Sequence, residues 1–337
     1  MRKLYRLGSS DLEVTPVGLG CWQFSRATGL AGKYWPSVPQ ERVREIVRVT
    51  LEGGINWFDT AEVYGKGASE DSLAEALHFL GIPRGQYRIA DKWFPAFRFA
   101  GSIRRTFPAR EKAMRGISID LHQIHQPFSF SGVEEQAREM GLLVKGGRIG
   151  AAGVSNFNEK RMRKAHRALA AEGVPLATNQ MRYSLLDREI ERDGVLETAK
   201  ELGVTIIAYS PLSQGLLTGR YHEPGETRRP GSPRKWMKRF RPAGLEATRP
   251  LIEELRHVAE AHAPSASEPP TPAQVALAWV VQHHGESVVA IPGATSVAQA
   301  RSNAAAMDIT LTREDLDRLD HAGREAERRL KRLESHG

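Results

Sequence analysis

Eight short apolar runs of β type, separated by stretches with helical periodicity, restrict this chain to very few architectures. The runs are Val17–Gly20, Asn56–Asp59, Tyr87–Asp91, Leu121–Ile124, Arg148–Val154, Leu176–Gln180, Val204–Tyr209 and Ser287–Ile291. Amphipathic stretches such as Glu41–Glu52, Ser69–Leu80, Gly132–Lys145, Glu159–Glu172 and Asp187–Leu202 lie between them. Strand-then-helix repetition builds parallel sheets, and eight strands in 337 residues point to an α/β fold, a (β/α)8 TIM barrel. The opening LYRLG-SSD-LEVTP reads as an N-terminal β-hairpin capping the barrel bottom. A doubly wound open sheet is the alternative, but its dinucleotide-binding form carries three spaced glycines after the first strand. Here that run ends Val17-Gly-Leu-Gly-Cys-Trp-Gln, without the third glycine. Residues 1–337 are expected to form one barrel domain, with a basic segment at about 220–245 and a terminal helix at about 312–334.

Barrel active sites gather at the C-terminal ends of the strands. Asp59, Lys92 and His125 fall at such ends, and Tyr64 lies in the turn after Asp59. Tyrosine is a poor acid at neutral pH, with a free pKa of about 10. A neighbouring ammonium such as Lys92 brings that value down, and a carboxylate such as Asp59 holds the ammonium in place. His125 adds a second polar contact for a substrate oxygen. This set is what carbonyl reduction needs from a protein, given a separate source of hydride. Taken singly, the Asp59–Lys92 pair also reads as a structural ion pair. His122 and His125 stand three apart in a strand and therefore face opposite ways. No other ligand type falls at a recognisable spacing, so no metal site is expected. His283-His284 reads as the end of a helix, where a cationic imidazole is favoured.

The single cysteine, Cys21, excludes an internal disulfide and suits a reducing cytosol. No apolar segment follows the basic residues at the N-terminus, and no window reaches the roughly 20 apolar residues of a spanning helix. A cytoplasmic protein without a membrane partner is expected. The net charge of +8 is concentrated between Thr227 and Pro242, where Arg228, Arg229, Arg234, Lys235, Lys238, Arg239 and Arg241 occur without an acid. The C-terminal GREAERRLKRLESHG includes Glu325, Glu327 and Glu334, so it reads as a mixed-charge surface helix rather than a nucleic-acid contact.

The segments VGLGCW, FDTAEVYG, DLHQIHQP, GVSNF, NQMRYSLL, AYSPLSQGLLTGRY and IPGAT occur in this order along nearly the whole chain. With them the sequence resembles the aldo-keto reductase superfamily, above all the bacterial branch related to general stress oxidoreductases and potassium-channel β subunits. The resemblance implies that Tyr64 protonates the carbonyl oxygen, Lys92 lowers its pKa, Asp59 pairs with Lys92, and His125 orients the substrate. It implies a nicotinamide dinucleotide, NADPH (NADP+) before NADH, bound across the barrel mouth. Gly20 and Trp22 would border it; Ser155, Asn156 and Gln180 would hold the carboxamide, and Tyr209 would stack on the ring. Ser210, Pro211, Leu212, Gly215 and Arg220 match the loop around the pyrophosphate. Ile291, Gly293, Thr295, Gln299 and Asn303 match the adenosine side, where helix-start amides bind anionic oxygen. Many relatives carry a lysine and an arginine for the 2′-phosphate where this chain has Gly293 and Gln299. The basic residues between 228 and 241 are expected to compensate by attracting the polyanionic cofactor.

Aromatic residues crowd the strand-to-helix loops. Trp22, Tyr34, Trp93 and Phe128 are expected to line an apolar pocket suited to an aromatic or aliphatic carbonyl compound. Arg98 is a candidate for a substrate carboxylate, and Pro108 is expected to break or kink the helix that starts near Ser102. The rival readings are an NAD-dependent alcohol or sugar dehydrogenase, and a cofactor-sensing regulatory subunit in which turnover is incidental. No apolar stripe specifies an oligomer.

Overall fold

Side chains alternate between the two faces of a strand, so a closed parallel barrel sorts each run into interior and helix-facing positions. The structure, a computed structural model, describes residues 2–26, 37–223, 225, 230–231, 234–263 and 269–335. Strands β1 (Tyr5–Arg6) and β2 (Glu13–Val14) form the antiparallel hairpin. The barrel consists of β3 (Leu19–Gly20), β4 (Trp57–Asp59), β5 (Arg88–Trp93), β6 (Ile119–Ile124), β7 (Ile149–Ser155), β8 (Leu176–Arg182), β9 (Thr205–Tyr209) and β10 (Val288–Ile291). Neighbours pair parallel in chain order, and bridges from Val17 to Ala290 and from Gly20 to Gly293 join the last strand to the first.

Inside the barrel lies an apolar layer of Trp57, Ala90, Leu121, Ala151, Ala177, Ile207 and Val289, packed with Tyr5, Leu7 and Val14 of the hairpin. The hairpin thus plugs the bottom. Gly8 is required there: its φ is 57°, and a Cβ would lie 2.5 Å from the Ala177 carbonyl oxygen. Two residues further along the strands the interior turns polar, with Asp59, Lys92 and Gln123 at successive positions, all buried. Gly153 completes this layer by omission, since a Cβ would meet Thr178 Oγ1 at 2.2 Å.

Outside run α1 (Gln40–Glu52), α2 (Ala68–Phe79), α3 (Ser102–Ala113), α4 (Val133–Lys145), α5 (Glu159–Ala170), α6 (Val195–Glu201), α7 (Pro242–His262), α8 (Pro272–Gln282), α9 (Val297–Ala305) and α10 (Arg313–Ser335). Their starts are legible locally. Asn158 accepts from Arg161 N to cap α5, which buries Met162, Ala165, Ala168 and Leu169 along one stripe. Thr271, Pro272 and Gln274 form a capping box with proline at the first position of α8.

The outer layer departs from the expected pattern in two places. Of Asp187–Leu202 only Val195–Glu201 is α-helical, because Gly194 takes a left-handed φ of 82° and Glu189–Glu191 forms a separate 3-10 turn. Pro108 does not break α3. Pro108 and Arg104, whose carbonyl loses its partner, both lie on the exposed side of the helix, while Ile103 and Phe107 hold the other side in the core.

Candidate active site

Strand alternation places Lys92 inside the barrel and its neighbours Asp91 and Trp93 outside. Lys92 Nζ donates to Asp59 Oδ1 at 2.5 Å and to the Thr60 carbonyl at 2.8 Å, with both members of the pair fully buried. The other carboxylate oxygen of Asp59 accepts from Gln180 Nε2 at 2.9 Å and from Gln123 Nε2 at 3.4 Å. Four groups therefore satisfy one another beneath the mouth. Tyr64 and His125 sit above them and keep partial exposure. The ammonium lies 5.1 Å from the Tyr64 ring centroid, and the Tyr64 and His125 rings meet edge to face at 5.7 Å. Trp22 stacks on Tyr64 at 5.8 Å.

Burial disfavours charge on Lys92, but Asp59, with Tyr64 and Asp91, more than offsets it and raises the pKa above its usual value. For Tyr64 the balance differs from the expectation: burial outweighs Lys92, and the phenol pKa moves up, not down. Tyr64 is thus fully protonated at neutral pH. Burial, helped by Lys92, holds His125 well below its usual pKa, so its imidazole is neutral.

His122 points the other way, as its spacing from His125 requires. It packs against Phe107 of α3 and is held down to about pKa 3 by burial and Arg110. His283 ends α8 as expected, yet burial and His284 lower its pKa to about 4, so it is neutral rather than cationic. It stacks on Trp279 at 4.4 Å. Glu191, His283 and His284 do converge, but Arg188 already forks onto the Glu191 carboxylate.

The residues assigned to the nicotinamide side surround this centre. Ser155 Oγ donates to the Gln180 carbonyl, Asn156 Nδ2 to Ser155 Oγ and the His125 carbonyl, and Tyr209 Oη to Asn156 Oδ1. Asn156 takes a φ of 60°, and the segment after β9 continues the pattern with Ser210 at 53°, Ser213 at 46°, Gln214 at 58° and Gly215 at 95°. Such left-handed residues cost energy and are held only by their surroundings. Leu212 starts the 3-10 turn Ser213–Thr218 after Pro211, and Arg220 lies over the Tyr221 ring. Gly20 pairs with Gly293, Ile291 ends β10, and Asn303 Nδ2 donates to the Gly293 carbonyl. A Cβ at Gly293 would fall 2.1 Å from Gln23 Nε2, so Gln23 fills the space beside it. The start of α9 is capped from within: Gln299 Oε1 accepts from Thr295 N and Oγ1, and Ser296 Oγ accepts from Gln299 N.

The pocket assignments need revision. Trp93 does not line the mouth; it lies in the helix-facing core, and Nε1 donates to Ser102 Oγ. Its neighbour Phe94 takes the place, touching His125 at 5.7 Å and Phe128 at 6.1 Å. Arg98 is committed elsewhere, pairing with Glu62 and donating to the Phe94 carbonyl and Thr106 Oγ1. Tyr34, Arg228 and Arg229 lie outside the described residues. Of the other basic residues, Arg234 donates to the Gln214 carbonyl, Lys238 to the Leu333 carbonyl, and Arg239 to Asp187 and Ser213.

Residues 16–324 match the aldo/keto reductase family. The chain belongs to that family. An uncharacterized oxidoreductase of Mycobacterium tuberculosis is 40% identical over 93% of this chain and 90% of its own. The glycerol dehydrogenase of Gluconobacter oxydans superimposes with a TM-score of 0.80 at 28% identity, covering 95% of this chain and 94% of that one. An aldo-keto reductase of Klebsiella pneumoniae in complex with NADPH superimposes with a TM-score of 0.72 at 26% identity, covering 95% of both. The chain is thus an oxidoreductase of the aldo/keto reductase family with that family's barrel fold. Sequence reasoning overlooked Gln123, Gln23 and Glu62. A glutamine two residues after a barrel-lining leucine was the available signal for the first; nothing local marks the other two.

Proposed function

We propose that this aldo/keto reductase family member reduces aldehydes or ketones to alcohols with NADPH, using Tyr64 as the proton donor. The observation that carries the reading is the buried Lys92–Asp59 pair beneath a protonated Tyr64, with neutral His125 at its edge. The donor set suits a nicotinamide cofactor: an aromatic ring, Tyr209, and the polar side chains of Ser155, Asn156 and Gln180 converge beside the strained segment at 210–215. When bound, that group supplies the hydride. Tyr64 gives its phenolic proton to the substrate oxygen. The Lys92 ammonium stabilises the tyrosinate left behind, and Asp59 keeps Lys92 charged while Gln180 and Gln123 hold the carboxylate in place. His125 and Tyr64 together position the oxygen on which charge develops. Trp22, Phe94 and Phe128 favour an apolar or aromatic carbonyl compound and keep water from the reacting atoms.

NADPH is supported by the Klebsiella relatives in complex with NADPH and with NADP, and by Arg234 beside the 210–215 segment. NADH is the second reading, favoured by Gly293 with Gln23 beside it and by the self-capped start of α9. Titration with each nucleotide, followed by tryptophan fluorescence, tests both. Tighter, salt-sensitive binding of NADPH is expected; equal or tighter binding of NADH would reverse the assignment. Steady-state oxidation of the bound nucleotide by a panel of aromatic and aliphatic aldehydes tests the reaction, and no turnover with any of them would refute it.

A further inference from the structure

We infer that Glu62 is a positioning residue for the proposed carbonyl reduction, and that with Arg110 and Glu70 it brackets the Tyr64 turn. This rests on the reading of Tyr64, Lys92 and His125 given above. Glu62 lies two residues before Tyr64. Its backbone N–H donates to the Lys92 carbonyl at 3.3 Å. Its carboxylate, partly buried, accepts from Phe94 N at 2.5 Å and from Arg98. Phe94 is the aromatic wall that touches His125. One residue therefore ties the turn bearing the proton donor to the strand end bearing Lys92, through its backbone, and to the wall behind the imidazole, through its side chain.

Arg110 closes the bracket from α3. Its guanidinium donates to Glu70 at 2.7 Å and lies 3.8 Å from Glu62. Glu62 and Glu70 flank Tyr64 on either side in the chain, and Ser69 N donates to the Tyr64 carbonyl, so both ends of the turn are drawn to one cation. Arg98 adds the second cation from the next loop and is itself fixed by Thr106. The Glu62 carboxylate lies between these two cations, and Arg98, held by Glu62, the Phe94 carbonyl and Thr106, is turned away from a substrate. Arg110 stands two residues after the proline that α3 accommodates, so the unusual α3 sequence supplies the anchor.

If the bracket only stabilised the fold, weakening it would lower the folded fraction and nothing else. If it positions Tyr64 and Phe94, the chemical step itself slows, because a displacement near 1 Å costs on the order of 10²-fold in rate. The test compares Glu62→Ala, Glu62→Gln and Arg110→Met with the unaltered protein. Aldehyde kcat and KM, the nicotinamide dissociation constant from tryptophan quenching, and the isotope effect on kcat with deuterated nicotinamide are measured. Glu62→Ala is expected to lower kcat by about tenfold to a hundredfold and raise the isotope effect, leaving nicotinamide affinity within about twofold. Glu62→Gln, which keeps an acceptor for Phe94 N, is expected to recover most of the loss, and Arg110→Met to fall between. An unchanged kcat in Glu62→Ala, or a lower kcat with an unchanged isotope effect, would overturn the inference alone. Absence of turnover by the unaltered protein would overturn it together with the proposed function.

Discussion

Replacing Lys92 by Met, alone and with Asp59→Asn, separates the structural from the chemical role of the buried pair. Lys92→Met removes the ammonium that donates to Asp59 Oδ1 and leaves the carboxylate buried, with Gln180 and Gln123 on its other oxygen. Breaking a buried ion pair from one side costs about 3–5 kcal/mol, because the remaining charge is uncompensated. With a urea slope of ~3 kcal/mol per molar, the midpoint should fall by about 1–2 M. Adding Asp59→Asn removes that charge while its amide oxygen still accepts from Gln180, so more than half of the loss should return. Activity should not return: without the ammonium the tyrosinate form of Tyr64 has no counter-ion, and kcat should stay about 10²- to 10⁴-fold down in the double variant. Urea unfolding followed by tryptophan fluorescence gives the stabilities, and steady-state aldehyde reduction gives kcat. A double variant that is both stable and active would show that the pair is structural. A Lys92→Met protein of unchanged stability would refute the account of its burial.

Tyr64→Phe should lower turnover by at least about 10²-fold while nicotinamide affinity, read from tryptophan quenching, stays the same. Gly293→Lys combined with Gln23→Ala, which clears the side chain 2.1 Å from a Cβ at 293, should shift binding toward NADPH over NADH by about tenfold, or ~1.4 kcal/mol; an unchanged ratio would place the 2′-phosphate elsewhere. Burial raises the carboxyls of Glu70 and Asp91, each aided by a nearby acid, far above their unfolded values. The folded protein therefore holds protons that the unfolded chain has lost, and stability falls as pH rises from the unfolded carboxyl range, about 4, until the folded values of about 7 for Asp91 and about 9 for Glu70 are passed. Tm measured from pH 6 to 9 should decline, and Glu70→Gln should flatten the decline.

How much was legible depends on whether the determinant was local. Each barrel strand was foreshadowed by an apolar run ending in a loop, and boundaries agree within a few residues because the interior period of two is written into the chain. The Asp59, Lys92 and His125 positions followed from the same period. What failed involved partners remote in sequence. Trp93 reads as a pocket aromatic until its parity relative to Lys92 is fixed, which sends it to Ser102 on α3. Arg98 reads as a free cation until Glu62, 36 residues away, is found beside it. The direction of the Tyr64 pKa depends on how burial compares with one ammonium, a balance that no spacing expresses. Gln23 beside Gly293 joins the two ends of the barrel, and only closure brings them together.

The polar layer between hairpin plug and mouth has an energetic logic of its own. One step below it the barrel is filled by Trp57, Ala90, Leu121, Ala151 and Ile207, which is how an interior of this size is best stabilised. At the next level the same strands offer Asp59, Lys92 and Gln123, and β7 offers no side chain at all at Gly153. Burying an ion pair with two amides is at best neutral for stability when compared with well-packed apolar residues. The layer is nevertheless fully hydrogen-bonded, so its groups are held in fixed positions rather than merely tolerated. Fixed charge without a stability gain is useful only if something above it changes charge. Tyr64 is the titratable group there whose ionised form Lys92 favours and whose neutral form burial favours. A phenol poised between those two influences is what a proton donor to a nascent alkoxide requires.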